Sequence, residues 1–513
     1  MSQGGLSFIL ARLDDEIAGF YYGEAVMQII FITPEAIPFS RVGGLGDVSF
    51  YLPRALARHG HKVTVVVPKH RGSDKMPLTE IPEWRCEIDL SLSRREASFY
   101  RGQTGEAHDA ILIGCDDLFN RPGLYGNEFG DYDDNAERFI FFSRAALLAA
   151  GKLAAPGEEV IIHCHDWASG LVPMCLKSWR GAFPTLKKAG SIFTYHNLAS
   201  QGLFLHYDFA MTGLDWSLFT HEGMEFHGRM NLTKAGLLAA DLITTVSRKY
   251  AQESLTPAIG MGLEGVLLSR SDDIVAVQNG VDYGQWDPAS DRHIAANYSE
   301  NNLEGKQECR RHLATLFGFK DPSLPTVAMV CRLLSRKGLD IIVKALDRMM
   351  DMPINLAFMG LGENHYQEFL QEAAIRWPGR LGYKRANDLV MIHHILAGAD
   401  IFMMPSRFEP CGLEQLYALR YGTVPVVRST GGLDDTVIDV QTNPDEGTGY
   451  KFNDYSPEAF LEVLKSAVAD FGRPELWRGV MRRAMEQNFS WDISASRYED
   501  VYRRALDIAE KRN

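Results

Sequence analysis

The chain has 513 residues, 46% of them hydrophobic and 23% charged, which is typical of a globular protein with large cores and excludes extensive disorder. Its 53 Lys and Arg against 66 Asp and Glu give a net charge of −13, which argues against broad nucleic-acid or anionic-membrane surfaces. Any anionic ligand must therefore meet a local cluster of basic side chains.

The seven cysteines are scattered and never form a Cys-x-x-Cys pair, which is typical of reduced thiols in a cytoplasm. No run of about 18 uncharged apolar residues is present in the sequence. Arg12, Asp14, Asp15 and Glu16 interrupt the stretch where a secretory signal needs apolar residues. We therefore expect a cytoplasmic protein in which residues 1–26 form an N-terminal extension.

A glycine-rich turn follows the first predicted strand, residues 27–33, and opens an amphipathic helix. Gly43 and Gly44 let backbone N–H groups and the positive helix end approach an anion, and Arg41 adds a full charge. The turn matches neither Gly-x-x-x-x-Gly-Lys-Ser/Thr nor Gly-x-Gly-x-x-Gly. It predicts a phosphate or sugar-phosphate site, and tight packing of the turn is the alternative interpretation.

Short apolar runs alternate with longer amphipathic segments through most of the chain, which is typical of parallel sheets covered by helices on both faces. The runs are 62–68, 160–163, 191–194, 242–246, 326–330, 354–358, 400–405 and 424–427. The pattern predicts an α/β protein with two doubly wound Rossmann-like domains, 27–275 and 276–490, facing a cleft. A last helix, 491–513, is expected to pack back on the first domain, and the polar stretch 270–325 is interpreted as a linker region.

Polar residues end two predicted strands of the first domain. His163, His165, Asp166 and Trp167 lie at the end of one strand, and His196 follows another. Strand alternation places His163 and His165 on one face, which makes a metal site an alternative, but no further cluster of ligands accompanies them. We expect no metal there and instead polar groups that bind sugar hydroxyls.

Two motifs of the second domain follow its first two predicted strands. Arg332 and Lys337 come after the strand at 326–330, where positive groups can neutralise a leaving phosphate. Gly360 and Gly362 end the next strand and permit close approach of a backbone. The alternatives are a solvated basic loop for the first motif and a plain turn for the second.

The densest block of motif residues is 404–414, which is followed by 429–436 after the next strand. Pro410 keeps Glu409 extended and outside a helix. Glu409 in this loop and a Gly-Gly turn at 431–432 would supply one sugar-binding group and one phosphate-binding turn. A surface glutamate is the alternative interpretation.

Taken together, these segments resemble the bacterial and plant glycogen and starch synthases, retaining glycosyltransferases that add glucose from a nucleotide sugar to an α-1,4-glucan. The resemblance covers the chain from about residue 27 onward and implies a GT-B fold, two Rossmann-like domains facing a cleft. The matching segments are 41–48 (the family's Lys-x-Gly-Gly-Leu signature), 193–202 (its His-Asn-Leu segment), 231–236, 245–247, 278–282, 286–288, 405–414 and 421–437.

The resemblance also implies roles for single residues. Arg332 and Lys337 would hold the donor's pyrophosphate, Glu409 and His196 would hold the transferred glucose, and Asp166 would line the sugar or acceptor pocket. These five are the expected catalytic residues. The expected substrate-binding residues are Arg41, Gly43, Gly44, Asp47, Trp167, Asn197, Gly360, Gly362, Tyr383 (stacking on the nucleotide base), and Thr430, Gly431 and Gly432 (through backbone N–H groups).

The mechanism that the resemblance implies uses no metal or other cofactor. Glycosidic cleavage creates positive charge on the sugar ring and negative charge on the departing diphosphate, and fixed cations lower that barrier. Attack from the leaving-group face, with a phosphate oxygen helping to deprotonate the acceptor 4-hydroxyl, retains configuration. ADP-glucose is the expected donor, with UDP-glucose as the alternative, and an α-1,4-glucan is the expected acceptor.

Three features depart from the family pattern. Arg41 stands where the family has a lysine, about four extra residues lie around 386–390, and Tyr417 replaces the second glutamate of the broader retaining pattern. The alternative functions are a retaining transferase with another nucleotide sugar or a small acceptor, and a non-catalytic glycan-binding homologue. A dinucleotide oxidoreductase lacks its Gly-x-Gly-x-x-Gly turn here.

Overall fold

The computed structural model describes residues 26–91, 93–104 and 108–512, so the predicted extension at 1–26 falls almost entirely outside the described residues. The chain forms two compact units. The first takes the described residues up to Thr245, Ser254–Val277 and those from Ala495 onward. The second takes Val246–Glu253 and Gln278–Ser494. The fold therefore is the predicted two-unit α/β architecture.

The first unit is built on a ten-stranded sheet. The strands of this unit are β1 Gln28–Ile32, β2 Lys62–Pro68, β3 Leu78–Glu80, β4 Cys86–Asp89, β5 Arg94–Gln103, β6 Asp109–Gly114, β7 Gly126–Asn127, β8 Gly130–Asp131, β9 Val160–His165, β10 Gly190–Tyr195, β11 Leu203–Leu205, β12 Glu225–Phe226, β13 Arg229–Asn231, β14 Leu242–Thr245 and β15 Ile274–Ala276. The order of the sheet is β15-β14-β10-β9-β1-β2-β6-β5-β3, with β4 beside β5.

Strands β15 to β6 of this order are parallel, whereas β3, β4 and β5 add an antiparallel edge. If the seven parallel strands alone are renumbered in chain order, their order from β6 to β15 is 3-2-1-4-5-6-7. The direction of this order reverses between strands 1 and 4, which are β1 and β9. Ligands of open α/β sheets bind at this reversal, beyond the carboxyl ends of the strands.

The second unit has a six-stranded, fully parallel sheet with the order β18-β17-β16-β19-β20-β21. Its strands are β16 Thr326–Val330, β17 Asn355–Met359, β18 Leu381–Lys384, β19 Ile401–Met404, β20 Val424–Arg428 and β21 Tyr450–Phe452. This is the 3-2-1-4-5-6 order of a doubly wound nucleotide-binding sheet, and its direction reverses between β16 and β19. Apolar clusters cover both of its faces.

Helices surround both sheets and alternate with the strands. The described helices are α1 Gly44–Arg58, α2 Asp116–Phe119, α3 Asn135–Leu153, α4 Leu171–Trp179, α5 Leu232–Ala239, α6 Arg248–Ser254, α7 Glu264–Ser269, α8 Glu304–Phe317, α9 Leu339–Met350, α10 Asn364–Arg376, α11 Leu389–Gly398, α12 Glu414–Arg420, α13 Gly431–Thr436, α14 Pro457–Phe471, α15 Pro474–Glu486 and α16 Trp491–Lys511. In the part of the chain that the structure describes, none of them is long and apolar enough to cross a bilayer.

The predicted linker at 270–325 is wrong in part, because it contains β15 and the fourteen-residue helix α8. Even its irregular part is packed, since the ring of Trp286 stacks between His393 at 4.2 Å and Tyr417 at 4.1 Å. The sequence did not reveal this helix because its buried apolar face is small. It consists of Cys309, Leu313 and Ala314, and the fourth buried residue, Lys306, is charged.

The C-terminal helix α16 completes the first unit. The hydroxyl of Tyr502 lies 3.0 Å from Nδ1 of His163, in the centre of the sheet, and Nε2 of His163 lies 2.7 Å from the Thr194 hydroxyl. A Cβ at Gly190 would lie 3.0 Å from the backbone of Ala505, so the helix packs directly on β10.

Candidate active site

The reversal point of the first sheet brings two predicted motifs together, because β1 and β9 are neighbours in register, with Ile32 opposite Cys164. The loop after β1 carries the glycine turn, and the loop after β9 carries Asp166 and Trp167.

The glycine turn is held by a buried carboxylate that sequence reasoning missed. Oε2 of Glu35 accepts the N–H groups of Val42 at 2.5 Å and Gly43 at 3.1 Å, and Oε1 accepts the hydroxyl of Tyr125 at 3.2 Å. Burial raises the pKa of Glu35, although these hydrogen bonds oppose the rise. The Gly43 N–H therefore has a partner within the protein, and its contact with a ligand stays a prediction.

Arg41 lies on the exposed side of the same turn. Its guanidinium donates to Oδ2 of Asp47 at 2.8 Å while 55% of the side chain stays exposed. Burial raises the pKa of Asp47 to about 6 even though the Arg41 charge acts in the opposite direction. Gly44 is exposed and begins α1.

Asp166 has a backbone conformation, φ 55° and ψ 177°, that residues other than glycine rarely adopt. The conformation lets Oδ1 accept the N–H of His196 at 2.7 Å, and the N–H of Asn197 binds the same carboxylate. Burial raises the pKa of Asp166 to about 7. Asp166 thus fixes the turn after β10, and strain of this kind concentrates at functional sites.

His196 lies on that turn with its ring stacked on His165, and its Nε2 lies 3.1 Å from Nδ1 of His165. Burial lowers the pKa of His196 to about 4, so the imidazole is neutral near pH 7 and acts as a hydrogen-bonding group. Beside them Trp167 packs its ring 4.7 Å from Phe139 and 6.0 Å from Tyr125.

An ion pair lies at the reversal point of the second sheet. Nζ of Lys337, from the loop after β16, lies 2.5 Å from Oε2 of Glu409, from the loop after β19, and the Ser406 hydroxyl donates to the same oxygen at 3.2 Å. Burial lowers the pKa of Lys337, but the charges of Glu409 and Glu414 outweigh it and raise the value above normal. Lys337 therefore stays cationic, with the exposed Arg332 on the same loop.

The motif glycines of the second unit let its loops pack backbone against backbone. A Cβ added to Gly360 would lie 2.0 Å from the carbonyl oxygen of Cys331, and a Cβ added to Gly362 would lie 2.2 Å from that of Leu333. The same holds for the second glycine pair. A Cβ added to Gly431 would lie 2.0 Å from the carbonyl oxygen of Glu409, and a Cβ added to Gly432 would lie 1.9 Å from that of Cys411.

The predicted phosphate contacts of this turn have partners within the protein. Gly432 donates its N–H to the carbonyls of Glu409 and Pro410, both at 3.0 Å. The hydroxyl of Thr430 and the N–H of Gly431 both donate to Glu253, a residue that sequence reasoning missed. Contact of these groups with a donor stays a prediction.

Tyr383 lies in β18, and its hydroxyl donates to the Gly360 carbonyl at 3.0 Å. This bond fixes the ring beside the first motif glycine, while the base stacking stays a prediction. Of the extra residues at 386–390, the last two begin α11, and the carboxylate of Asp388 caps the helix by accepting the Met391 N–H at 3.1 Å.

The predicted residues thus form two sets, one at each reversal point. Among the residues described, no group of three or more His, Cys, Asp and Glu is arranged to hold a metal ion. Residues missed by sequence reasoning are Glu35, Tyr125 and Glu253; only Glu35, directly after the carboxyl end of β1, had a position that could have drawn notice.

Comparison with known proteins gives matches along nearly the whole chain. Residues 28–269 match the family described as Starch synthase catalytic domain, and residues 318–479 match Glycosyl transferases group 1. The chain is 43% identical over 485 residues to a protein named glycogen synthase from Anaeromyxobacter sp. (strain Fw109-5), covering 93% of this chain and 99% of the relative. A glycogen synthase from Koribacter versatilis (strain Ellin345) is 40% identical over 483 residues, covering 94% and 99%.

Two solved structures are also similar. The catalytic domain of starch synthase IV from Arabidopsis thaliana, bound to ADP and acarbose, superposes with a TM-score of 0.83 and 29% identity, covering 94% of this chain and 100% of that one. Sucrose-phosphate synthase from Thermosynechococcus elongatus gives a TM-score of 0.59 at 18% identity, covering 94% and 99%, which is a likeness of fold alone.

Proposed function

Because the chain belongs to the glycogen synthase family of glycosyltransferases, we propose that it transfers glucose from ADP-glucose to the non-reducing 4-hydroxyl of an α-1,4-glucan, with retention. The choice of adenine is supported by the ADP in the similar starch synthase structure, and the choice of a glucan acceptor is supported by the acarbose.

The observation that carries the proposal is the Lys337–Glu409 pair at the reversal point of the second sheet. Lys337 and Arg332 supply the positive charge that a departing diphosphate needs, and Glu409 supplies a carboxylate for the sugar hydroxyls. Both ends of the pair are nearly buried, with 12% and 8% of the side chains exposed, so their charges act in a medium that screens them little.

For residues of the first unit, the family resemblance supports further contacts with the substrates. The neutral imidazole of His196 hydrogen-bonds a glucose hydroxyl, the Trp167 ring packs against a sugar face, and Arg41 contacts the donor's phosphates. Asp166 holds the His196–Asn197 turn in place through two backbone N–H groups. A phosphate oxygen then assists removal of the proton from the acceptor 4-hydroxyl.

Incubation with glycogen and either ADP-glucose or UDP-glucose tests the proposal. We expect elongation of the glucan, with ADP-glucose preferred, and almost none with the Glu409→Gln variant. Absence of elongation from both donors would refute the function. Sizing the products made from short maltooligosaccharides distinguishes a glucan acceptor from a small one.

A second part of the proposal is that the reaction needs no metal, because Arg332 and Lys337 meet the charge of the leaving group. We expect the transfer rate to be unchanged after treatment with EDTA. A rate that falls with EDTA and recovers with Mg²⁺ would contradict it.

The proposal also places the protein in the cytoplasm. All seven cysteines are free thiols in the structure, and four of them (Cys164, Cys175, Cys309 and Cys411) are buried, which suits a reducing compartment. Fractionation of cells that express the protein checks this expectation.

A further inference from the structure

Thr430 and Gly431, to which the family resemblance assigns contacts with the donor through backbone N–H groups, bind a carboxylate of the protein itself. The hydroxyl of Thr430 and the N–H of Gly431 both donate to Oε2 of Glu253, each at 3.1 Å. Thr430 is buried, with 1% of its surface exposed, so its hydroxyl is directed at this one oxygen rather than at solvent.

The segment that carries Glu253 is anchored to the same part of the second unit. Asp435, on α13, accepts the N–H of Arg248 at 2.6 Å and the N–H of Lys249 at 3.2 Å through its carboxylate. The anchor holds α6 against the turn at 430–431, so Glu253 is presented to the turn by a fixed backbone.

The surroundings suit an oxyanion. Thr430 and Gly431 offer two convergent donors, and the positive charges of Lys249 and Arg428 act on the carboxylate. Burial raises the pKa of Glu253, and the donors and cations oppose that rise. A phosphate oxygen has the same charge and the same preference for N–H and O–H donors as a carboxylate oxygen.

We propose that Glu253 is an internal competitor for the donor's diphosphate: it occupies the Thr430 hydroxyl and the Gly431 N–H before binding and gives them up when the diphosphate binds. The inference rests on the proposed function, because a diphosphate reaches this turn only if the protein binds a nucleotide sugar. With competition of this kind, the apparent affinity for the donor equals the intrinsic affinity multiplied by the fraction of molecules in which the subsite is free.

Calorimetric titration of the full chain with ADP and with inorganic pyrophosphate tests the proposal. Glu253→Ala removes the competing carboxylate, and we expect both ligands to bind about threefold to tenfold more tightly, as for a subsite that Glu253 occupies about 70 to 90% of the time. Glu253→Gln removes the negative charge but keeps the side-chain volume and an oxygen that can accept the same two hydrogen bonds. We therefore expect a smaller gain in affinity than for Glu253→Ala. Glu372→Gln, at an exposed position of α10, is the control for net charge and should bind like the parent.

Weaker or unchanged binding of ADP by both Glu253 variants would overturn the proposal, since it would mean that Glu253 supports the turn instead of competing for it. A crystal structure with ADP adds a direct measurement: the Glu253 carboxylate should lie beyond hydrogen-bond distance of the Thr430 hydroxyl, and a retained 3.1 Å contact overturns the proposal. If the parent protein binds neither ADP nor pyrophosphate and transfers no glucose, the proposed function itself fails, which is a different result.

Discussion

At the scale of single residues, the Lys337–Glu409 pair is asymmetric. Among the ion pairs of the described residues, Glu409 has a single cationic partner, Lys337. The charge of Lys337, in contrast, is stabilised by two carboxylates, those of Glu409 and Glu414. Removing the lysine therefore leaves a buried carboxylate uncompensated, and removing the glutamate does not leave the lysine without an acidic neighbour.

We therefore expect Lys337→Met to lower the free energy of unfolding by about 3 kcal/mol, and Glu409→Gln to lower it clearly less. Both variants should lose nearly all glucose transfer. Thermal midpoints and kcat measure the two effects, and Lys344→Met, at an exposed position of α9, serves as the control. Equal midpoints for the two active-site variants would contradict this account of the pair.

Arg41 is the residue at which the family lysine is replaced, and its ion pair with Asp47 is half exposed. Exposed pairs contribute about 0 to 1 kcal/mol, so Arg41→Ala should leave the thermal midpoint almost unchanged. Loss of a charged hydrogen bond to the donor should raise the KM for ADP-glucose about tenfold. A normal KM for Arg41→Ala would exclude the contact.

Asp166 gives a pH dependence whose sign follows from its pKa. The pKa in the folded protein, about 7, lies above the ordinary aspartate pKa of 3.8, so between these pH values the folded state holds a proton that the unfolded state releases. The contribution of Asp166 to the free energy of unfolding is therefore fully present at low pH. It is lost as the pH rises through the window from about 4 to 7, by up to about 1.4 kcal/mol per pH unit.

Asp166→Asn removes this ionisation. We expect urea unfolding of the parent to show a greater loss of stability between pH 5 and pH 7 than unfolding of the variant, while Asp133→Asn, at an exposed position, keeps the parental profile. Parallel profiles for the parent and Asp166→Asn would show that the carboxyl is ionised throughout.

At the scale of elements, the strand ends and the glycine turns act together. The loop after β16 packs on the turn after β17, and the loop after β19 packs on the turn after β20, in each case with no room for a Cβ. The glycines thereby fix the positions of Arg332 and Glu409.

Gly432→Ala should displace the Glu409 loop, because its Cβ would lie 1.9 Å from the Cys411 carbonyl oxygen. A shift of about 1 Å at a reacting group costs about 100-fold in rate, so we expect a loss of kcat of that order with a lower thermal midpoint. Gly265→Ala, in α7, has nothing within 4 Å of its Cβ and should stabilise that helix slightly. Normal turnover by Gly432→Ala would refute the packing role.

Sequence alone predicted most of the parallel strands, because buried strands are continuous apolar runs: the prediction at 27–33 corresponds to β1 at Gln28–Ile32. It missed four other parallel strands, β6, β15, β18 and β21. It missed β5, whose alternating polar residues mark a strand with one exposed face, as antiparallel edges have. It found Glu409 through its motif but not Glu253, since a lone glutamate in a helix has no distinguishing spacing. The contacts of the glycines depend on which loops become neighbours in space, which no local pattern contains.

At the scale of the whole molecule, the C-terminal helix is part of the first unit's core. Tyr502 is fully buried against His163 and Tyr498. Tyr502→Ala should lower the free energy of unfolding by about 3 to 5 kcal/mol, as large-to-small core changes do. Arg503→Ala, on the exposed side of the same helix, should change it by about 0.5 kcal/mol or less. Equal thermal midpoints for the two variants would contradict the role of this helix.

The return of α16 to the first unit also bears on the order of events during synthesis. A ribosome delivers residues 278–494 before it delivers Tyr502, so the second unit has its whole sequence while the first still lacks the helix that covers β10 and His163. Domains generally fold as they emerge, yet here the unit that is started first is completed last. A messenger truncated just before the codon for Ala495 would thus yield a finished second unit joined to an open first one, a natural substrate for chaperones and proteases.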